Sequence, residues 1–270
     1  MKIPKKALTI AGLDCSGGAG LLADVKTFQE RDVYGLVANT AQVAMEPGTW
    51  AHLIHPLGLD VIREQVRTAQ SIGVDAVKTG MLPTAEVIRA VGEMLKEFGG
   101  TRIVIDPVMV CKGANVPVFP ENTRAMIEAL MPVADVTTPN TFEAAQLAGM
   151  DEIKTESDME EAARRIHAHG VKNVIIKAAR IFDDVAADML FDGAEFTWIR
   201  EPRLDTKWTH GAGCSFSACV TAELAKGRPV AEAFRTAHLF LRAALEQSFP
   251  FNDITGPVYH HALAKLLHGE

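Results

Sequence analysis

Four cysteines, Cys15, Cys111, Cys214 and Cys219, are too few and too scattered for a disulfide framework, and no C-x-x-C pair is present to hold zinc. Reduced thiols are expected. No apolar run approaches the length needed to span a bilayer, and Met1-Lys2-Ile3-Pro4-Lys5-Lys6 leads into a short apolar strand rather than a signal-peptide core. A cytoplasmic location is the expectation, with no membrane partner. Basic blocks and aromatic-basic interleaving are also missing. Together with a formal charge of −7 and a pI near 5.7, this argues against nucleic acid as a main partner. Linkers and low-complexity tracts are lacking too, so residues 1–270 read as one domain with a substantial core.

What is present is an alternation of β-branched apolar runs with helical patterns, the signature of a mostly parallel sheet covered on both faces. Residues 7–11 read as a strand ending in Gly12 and a glycine-rich turn, Ser16-Gly17-Gly18-Ala19-Gly20, before a helix through Phe28. Residues 74–80, 103–108, 133–138 and 174–177 read as further strands. Thr84 opens a helix with Val87, Val91, Met94, Leu95 and Phe98 on one face, and Gly99-Gly100 stop it. A short helix follows Pro139-Asn140 and closes at Gly149. Ser157 and Glu160 are spaced as a capping box for the next one. Residues 187–199 suggest a hairpin turning at Asp192-Gly193, and two long helices, 213–226 and 230–247, follow.

The most informative stretch is Thr209-His210-Gly211-Ala212-Gly213-Cys214, small residues set directly before a helix start. Unpaired N–H groups converge at such a start, glycine lets the backbone approach, and the helix dipole favours negative charge. An anion cradle with Cys214 at its mouth suits phosphoryl transfer, where positioning and charge stabilisation do most of the catalysis. A plain Gly-rich cap is the structural alternative. In open α/β sheets ligands bind beyond the carboxyl ends of strands, and Asp14, Gly80, Asp106, Asn140 and Lys177 all occupy such ends. Carboxylate and amide near Mg²⁺, a cation for phosphates and an anion hole together make a nucleotide kinase site. Asn140 and Glu143 also have N-cap and N3 spacing, so a purely structural capping box is an equal reading.

These residues lie in stretches that resemble the ribokinase-like kinases, in the branch of hydroxymethylpyrimidine kinases and bacterial pyridoxal kinases. The stretches are Ala11 to Gly20, Val77-Lys78-Thr79-Gly80-Met81, Asp106 to Gly113, Thr138-Pro139-Asn140-Thr141-Phe142-Glu143-Ala144, and Thr209 to Cys214. The resemblance implies a three-layer α/β/α sandwich and ATP-dependent phosphorylation of a hydroxymethyl group on a small nitrogen heterocycle. By this resemblance Gly211, Ala212 and Gly213 form the anion hole, and Cys214 stands where many such kinases have an aspartate base. A thiol fits that role if its pKa falls, as it can at a helix N-terminus. Asp106, Asn140 and Glu143 would orient Mg²⁺. ATP would meet Asn140, Lys177, Ala178, Ala179, Arg180, Thr209, His210, Gly211 and Gly213. The ring would lie against Gly12, Asp14, Gln42, His52, Met81, Val108 and Cys111. K⁺ is a further cation to expect, and a homodimer is the habit of the family.

Two signals bear on the ring. Val110-Cys111-Lys112-Gly113-Ala114-Asn115 is similar to the lid of the pyridoxal kinases, where a thiolate can add reversibly to the aldehyde. Ala41-Gln42 is similar to the hydroxymethylpyrimidine kinases, with glutamine offering donor and acceptor to a ring edge. The longer match favours pyridoxal, pyridoxine and pyridoxamine, with hydroxymethylpyrimidine as the alternative. Leu13 and Cys15 depart from the serines usual in the first loop, and Ala178-Ala179-Arg180 from a glycine-rich run. A different class, a cysteine hydrolase with Cys214 as nucleophile and His210 as base, would leave Asp106, Asn140 and Glu143 idle.

Overall fold

A computed structural model describes residues 3–109, 120–178 and 184–268. The described strands are β1 (Lys5–Asp14), β2 (Val33–Met45), β3 (His52–Pro56), β4 (Ala76–Thr79), β5 (Arg102–Ile105), β6 (Val136–Thr137), β7 (Asn173–Ala178), β8 (Val185–Phe191) and β9 (Phe196–Pro202). The helices are α1 (Gly20–Glu30), α2 (Leu59–Ile72), α3 (Ala85–Lys96), α4 (Pro120–Ala125), α5 (Thr141–Ala148), α6 (Glu156–His167), α7 (Ala212–Ala225), α8 (Val230–Glu246) and α9 (Ala262–His268). All strands join one sheet in the order β3-β2-β1-β4-β5-β6-β7-β8-β9. Six neighbours, from β2 through β7, run parallel, while the pairings β3-β2 at one edge and β7-β8 and β8-β9 at the other are antiparallel.

Strand side chains alternate between faces, so each buried strand feeds two cores. Leu8 and Ile10, Ile103 and Ile105, and Val174 and Ile176 pack with α2, α3, α5 and α6 on one face. Val104, Val136 and Ile175 meet Phe216, Phe234 and Phe240 of α7 and α8 on the other. Ala7 and Ala76 extend that second core toward Phe28 of α1 and Ala218 and Ala222 of α7. The result is the expected three-layer α/β/α sandwich.

Local expectations hold with shifts that have physical causes. The helix after Asn140 closes at Gly149 in the left-handed conformation, φ 63°. The hairpin turns where expected, with Gly193 at φ 96°. The capping box of α6 is Thr155 with Asp158, not Ser157 with Glu160. Two cap patterns overlap there, and the earlier one starts the helix sooner, where Arg200 holds Glu156 through two contacts of 2.8 Å. The stretch 74–80 holds the fourth strand of the chain, because β2 and β3 come before it, and α9 follows the two long helices. Among the described residues no helix is long and apolar enough to cross a membrane.

Candidate active site

The carboxyl ends of the parallel strands converge on a cavity of about 290 Å³, roofed by the start of α7. Gly211 is the N-cap of that helix at φ 77°, and a Cβ there would run into the Gly18 carbonyl. Only glycine lets this helix start sit against the first glycine-rich loop. The Ser215 amide returns to the Gly211 carbonyl at 2.9 Å and the Ala212 amide to Thr209 at 3.2 Å. The amides of Gly211, Gly213 and Cys214 have no acceptor among the described residues. Of the expected anion hole, then, the Ala212 amide is already engaged, and the free donors are its neighbours.

Opposite stand two carboxylates and two lysines. Asp106, buried just past β5, accepts from Thr138 Oγ1 at 3.2 Å and Ser217 Oγ at 2.9 Å, and pairs with Lys177 Nζ at 3.4 Å. The Lys177 ammonium lies where a Cβ on Gly213 would meet it at 3.5 Å, so a cation borders the helix start. Asn140 and Glu143 do form the capping box of α5: Asn140 Oδ1 accepts the Glu143 amide and Glu143 Oε2 the Asn140 amide, each at 2.9 Å. Burial pushes the Glu143 carboxyl up to about 7, with Lys177 opposing and Asp106 adding to the rise. Both residues line the cavity as well. Among the described residues no three His, Cys, Asp or Glu side chains cluster as a ready-made metal site.

Cys214 is half-buried, in the first turn of α7. Its pKa does not fall as expected: burial pushes the thiol up to about 12, with Asp24 and Asp106 adding to the rise. Lys78 and the Gly20 N–H, which points at the sulfur, work in the opposite direction but do not prevail. The hydrolase alternative also fails on geometry. His210 Nε2 is 2.7 Å from Asp14 Oδ2, and no hydrogen bond joins it to Cys214 among the described residues. Asp14 in turn accepts the amides of Ser16 and Ala19 at 2.8 and 3.0 Å. Burial alone would raise the Asp14 carboxyl, yet hydrogen bonds from His210 and Ser16 outweigh it and leave it below its ordinary value. The Asp14–His210 pair therefore fastens the first loop to the α7 start.

The remaining wall is apolar. Gly12, Val43, Met45, Met81 and Val108 line it, and a Cβ on Gly12 would collide with Met81 Cε. His52 closes the wall near His210, ring centroids 6.5 Å apart, and its Nδ1 has no partner among the described residues. Burial first, then the nearby His210, lowers its pKa. Gln42 is elsewhere: it is exposed on β2, and by the period of two its neighbour Val43 faces the cavity instead. Ala178 also differs from expectation. It is buried in the core on the α5 and α6 face, its amide donates to Asp188 Oδ1 at 3.3 Å, and it does not line the cavity. Cys111, Ala179 and Arg180 lie outside the described residues.

One residue escaped the sequence reading. Lys78 is fully buried in β4 and lines the cavity floor, with Asp24 Oδ2 at 3.0 Å and Asp106 Oδ2 at 3.9 Å. Burial would lower its pKa, but the two carboxylates raise it above the ordinary lysine value. Burial of a lysine inside a four-residue strand that is buried throughout is a structural fact with no local signal in the sequence.

Fold and site together define an α/β protein of the ribokinase-like class. Known proteins agree. The model of the phosphomethylpyrimidine kinase family matches residues 14–259. The pyridoxine kinase of Bacillus subtilis strain 168 is 52% identical over 261 residues, 96% of each chain. The hydroxymethylpyrimidine/phosphomethylpyrimidine kinase of the same organism is 41% identical, again over 96% of each. A solved structure of the Staphylococcus aureus pyridoxal kinase in complex with AMP-PCP and pyridoxal superposes with a TM-score of 0.93 at 44% identity, covering 98% of this chain and 96% of that one. The chain belongs to the phosphomethylpyrimidine kinase family.

Proposed function

We propose that this chain transfers the γ-phosphoryl group of ATP to the hydroxymethyl group of pyridoxal, pyridoxine or pyridoxamine. One observation carries the reading: a single cavity joins an amide cradle flanked by Lys177 to an apolar wall of Gly12, Met81 and Val108. The cradle suits a migrating phosphoryl group, and the wall a planar ring. The likeness to kinases of pyridoxine and pyridoxal exceeds that to the hydroxymethylpyrimidine kinase. That second activity is the alternative, favoured by the 41% identity and by the family description.

In this reading the amides of Gly211, Gly213 and Cys214 hold the transferring group, Lys177 and Thr209 face the ATP phosphates, and His210 with Asp14 keeps the two loops in register. Cys214 accepts the proton of the ring alcohol from its deprotonated fraction, which Lys78 and the Gly20 amide enlarge against the burial that raises its pKa. His52 meets a polar substituent of the ring. Asp106, Asn140 and Glu143 supply oxygen donors alone, which suits Mg²⁺, and a cation there would relieve the crowded burial that raises the Glu143 pKa. Mg²⁺ would supply charge neutralisation at the phosphates. The chain works as one domain in the cytoplasm, as its sequence pattern suggests, and as a homodimer, as the resemblance implies. The test is turnover of ATP with pyridoxal: one pyridoxal 5′-phosphate formed per ADP, and none after EDTA. ADP release without phosphorylated vitamin would overturn the reading.

A further inference from the structure

A buried charge pair lies under the site, and the reading so far uses its lysine only as a neighbour of Cys214 and its aspartate not at all. Lys78 of β4 and Asp24 of α1 are both completely buried, their Nζ and Oδ2 atoms 3.0 Å apart. Thr9 Oγ1 of β1 donates to the same Asp24 oxygen at 2.6 Å, while Asp24 Oδ1 has no partner among the described residues. Taking both charges out of water is costly, and apolar replacements of such pairs are often neutral or stabilising. Stability is therefore a poor reason for this pair to be here. Its location is a better one. The ammonium is also 3.9 Å from Asp106 Oδ2, and Lys78 and Cys214 line the same cavity. Gly80 leaves it uncovered: a Cβ there would be 3.3 Å from Nζ.

We propose that Lys78, anchored from behind by Asp24, is a positioning residue that fixes Asp106 and holds a positive charge beneath Cys214 during phosphoryl transfer. Asp24 holds the ammonium by one oxygen and leaves the rest of it directed at the cavity floor. Asp106 then keeps a single orientation, with Thr138, Ser217 and Lys177 completing its shell. Neither residue of the pair belongs to the apolar wall proposed for the ring, so the consequence falls on the chemical step rather than on vitamin binding.

This inference rests on the kinase reading, which the wild-type protein tests first by making pyridoxal 5′-phosphate at all. Lys78→Met leaves Asp24 as a lone buried charge and endangers folding, so the decisive variant is Asp24→Asn with Lys78→Met, which removes both charges together. Melting temperature and steady-state kinetics are measured for wild type and double variant. The expected result is a melting temperature held within a few degrees, KM for pyridoxal and ATP changed less than about threefold, and kcat reduced at least about 100-fold, the pattern of an interaction made in the transition state. A kcat within about threefold of wild type would overturn the inference. So would a double variant that fails to fold, since the pair would then be structural, or a loss that appears in KM for pyridoxal instead of kcat.

Discussion

Cys214 sits in a contest between helix start and burial, and burial prevails in the free protein, where its thiol is pushed up to about 12. A group with so high a pKa accepts a proton only in its small deprotonated fraction, which grows as pH rises. The kcat/KM of the wild-type protein, which reports free-enzyme groups, therefore rises with pH through neutrality. Cys214→Ala loses that rise and lowers kcat by about 10²–10⁴-fold, the range of a positioned base. A flat wild-type profile would remove the base role. A second residue sets acid sensitivity. Burial lowers His260 from 6.5 to about 4, and its Nε2 lies 3.0 Å from Ser215 Oγ on α7. The folded value is below the unfolded one, so the contribution of neutral His260 is whole above about 6.5 and is lost as pH falls toward about 4. Melting curves of His260→Gln should fall less than those of wild type across this interval. Equal declines would clear His260 of the effect.

At this scale the sequence was legible where a residue's neighbours are its near neighbours in the chain. Gly211, Gly213 and Cys214 share one hexapeptide, and Asn140 with Glu143 share one turn. Lys78 was not legible, because its partners Asp24 and Asp106 come from distant segments and meet only through the sheet. Gln42 shows a related limit: β2 carries few clear alternations, so which of its side chains line the cavity could not be read.

Among the elements, α7 decides the most. Every residue from Ser215 to Ala225 is buried, so no amphipathic stripe advertises this helix, and its start had to be found from glycine and alanine alone. The start depends on Gly211. Gly211→Ala places a side chain on a left-handed backbone, at a cost of about 1–3 kcal/mol, and drives it into the Gly18 carbonyl as well. Urea unfolding should show a loss at least that large, and turnover should fall with it. A variant of native stability and activity would mean the helix start is looser than described. α6 shows the opposite limit: the element was legible but its cap was displaced, because two overlapping patterns look alike until Arg200 arrives from β9 to fix the first turn.

For the whole molecule, parallel strands aim Asp14, Gly80, Asp106 and Lys177 at one rim, and the antiparallel edges add no comparable set. The alternation of strand and helix carried the fold class, since two-faced burial needs apolar residues in both parities. Sheet order and the edge strand β3 were not available, being set by crossovers and long-range pairing rather than by local pattern. The central claim is that this rim joins a phosphoryl cradle to a slot for the pyridine ring of vitamin B6. The most direct measurement compares kcat/KM for pyridoxal and for hydroxymethylpyrimidine under saturating MgATP in one preparation. A ratio clearly above one is the predicted result. A clear preference for the pyrimidine would contradict the assignment of the slot, and no turnover of either would contradict the cradle.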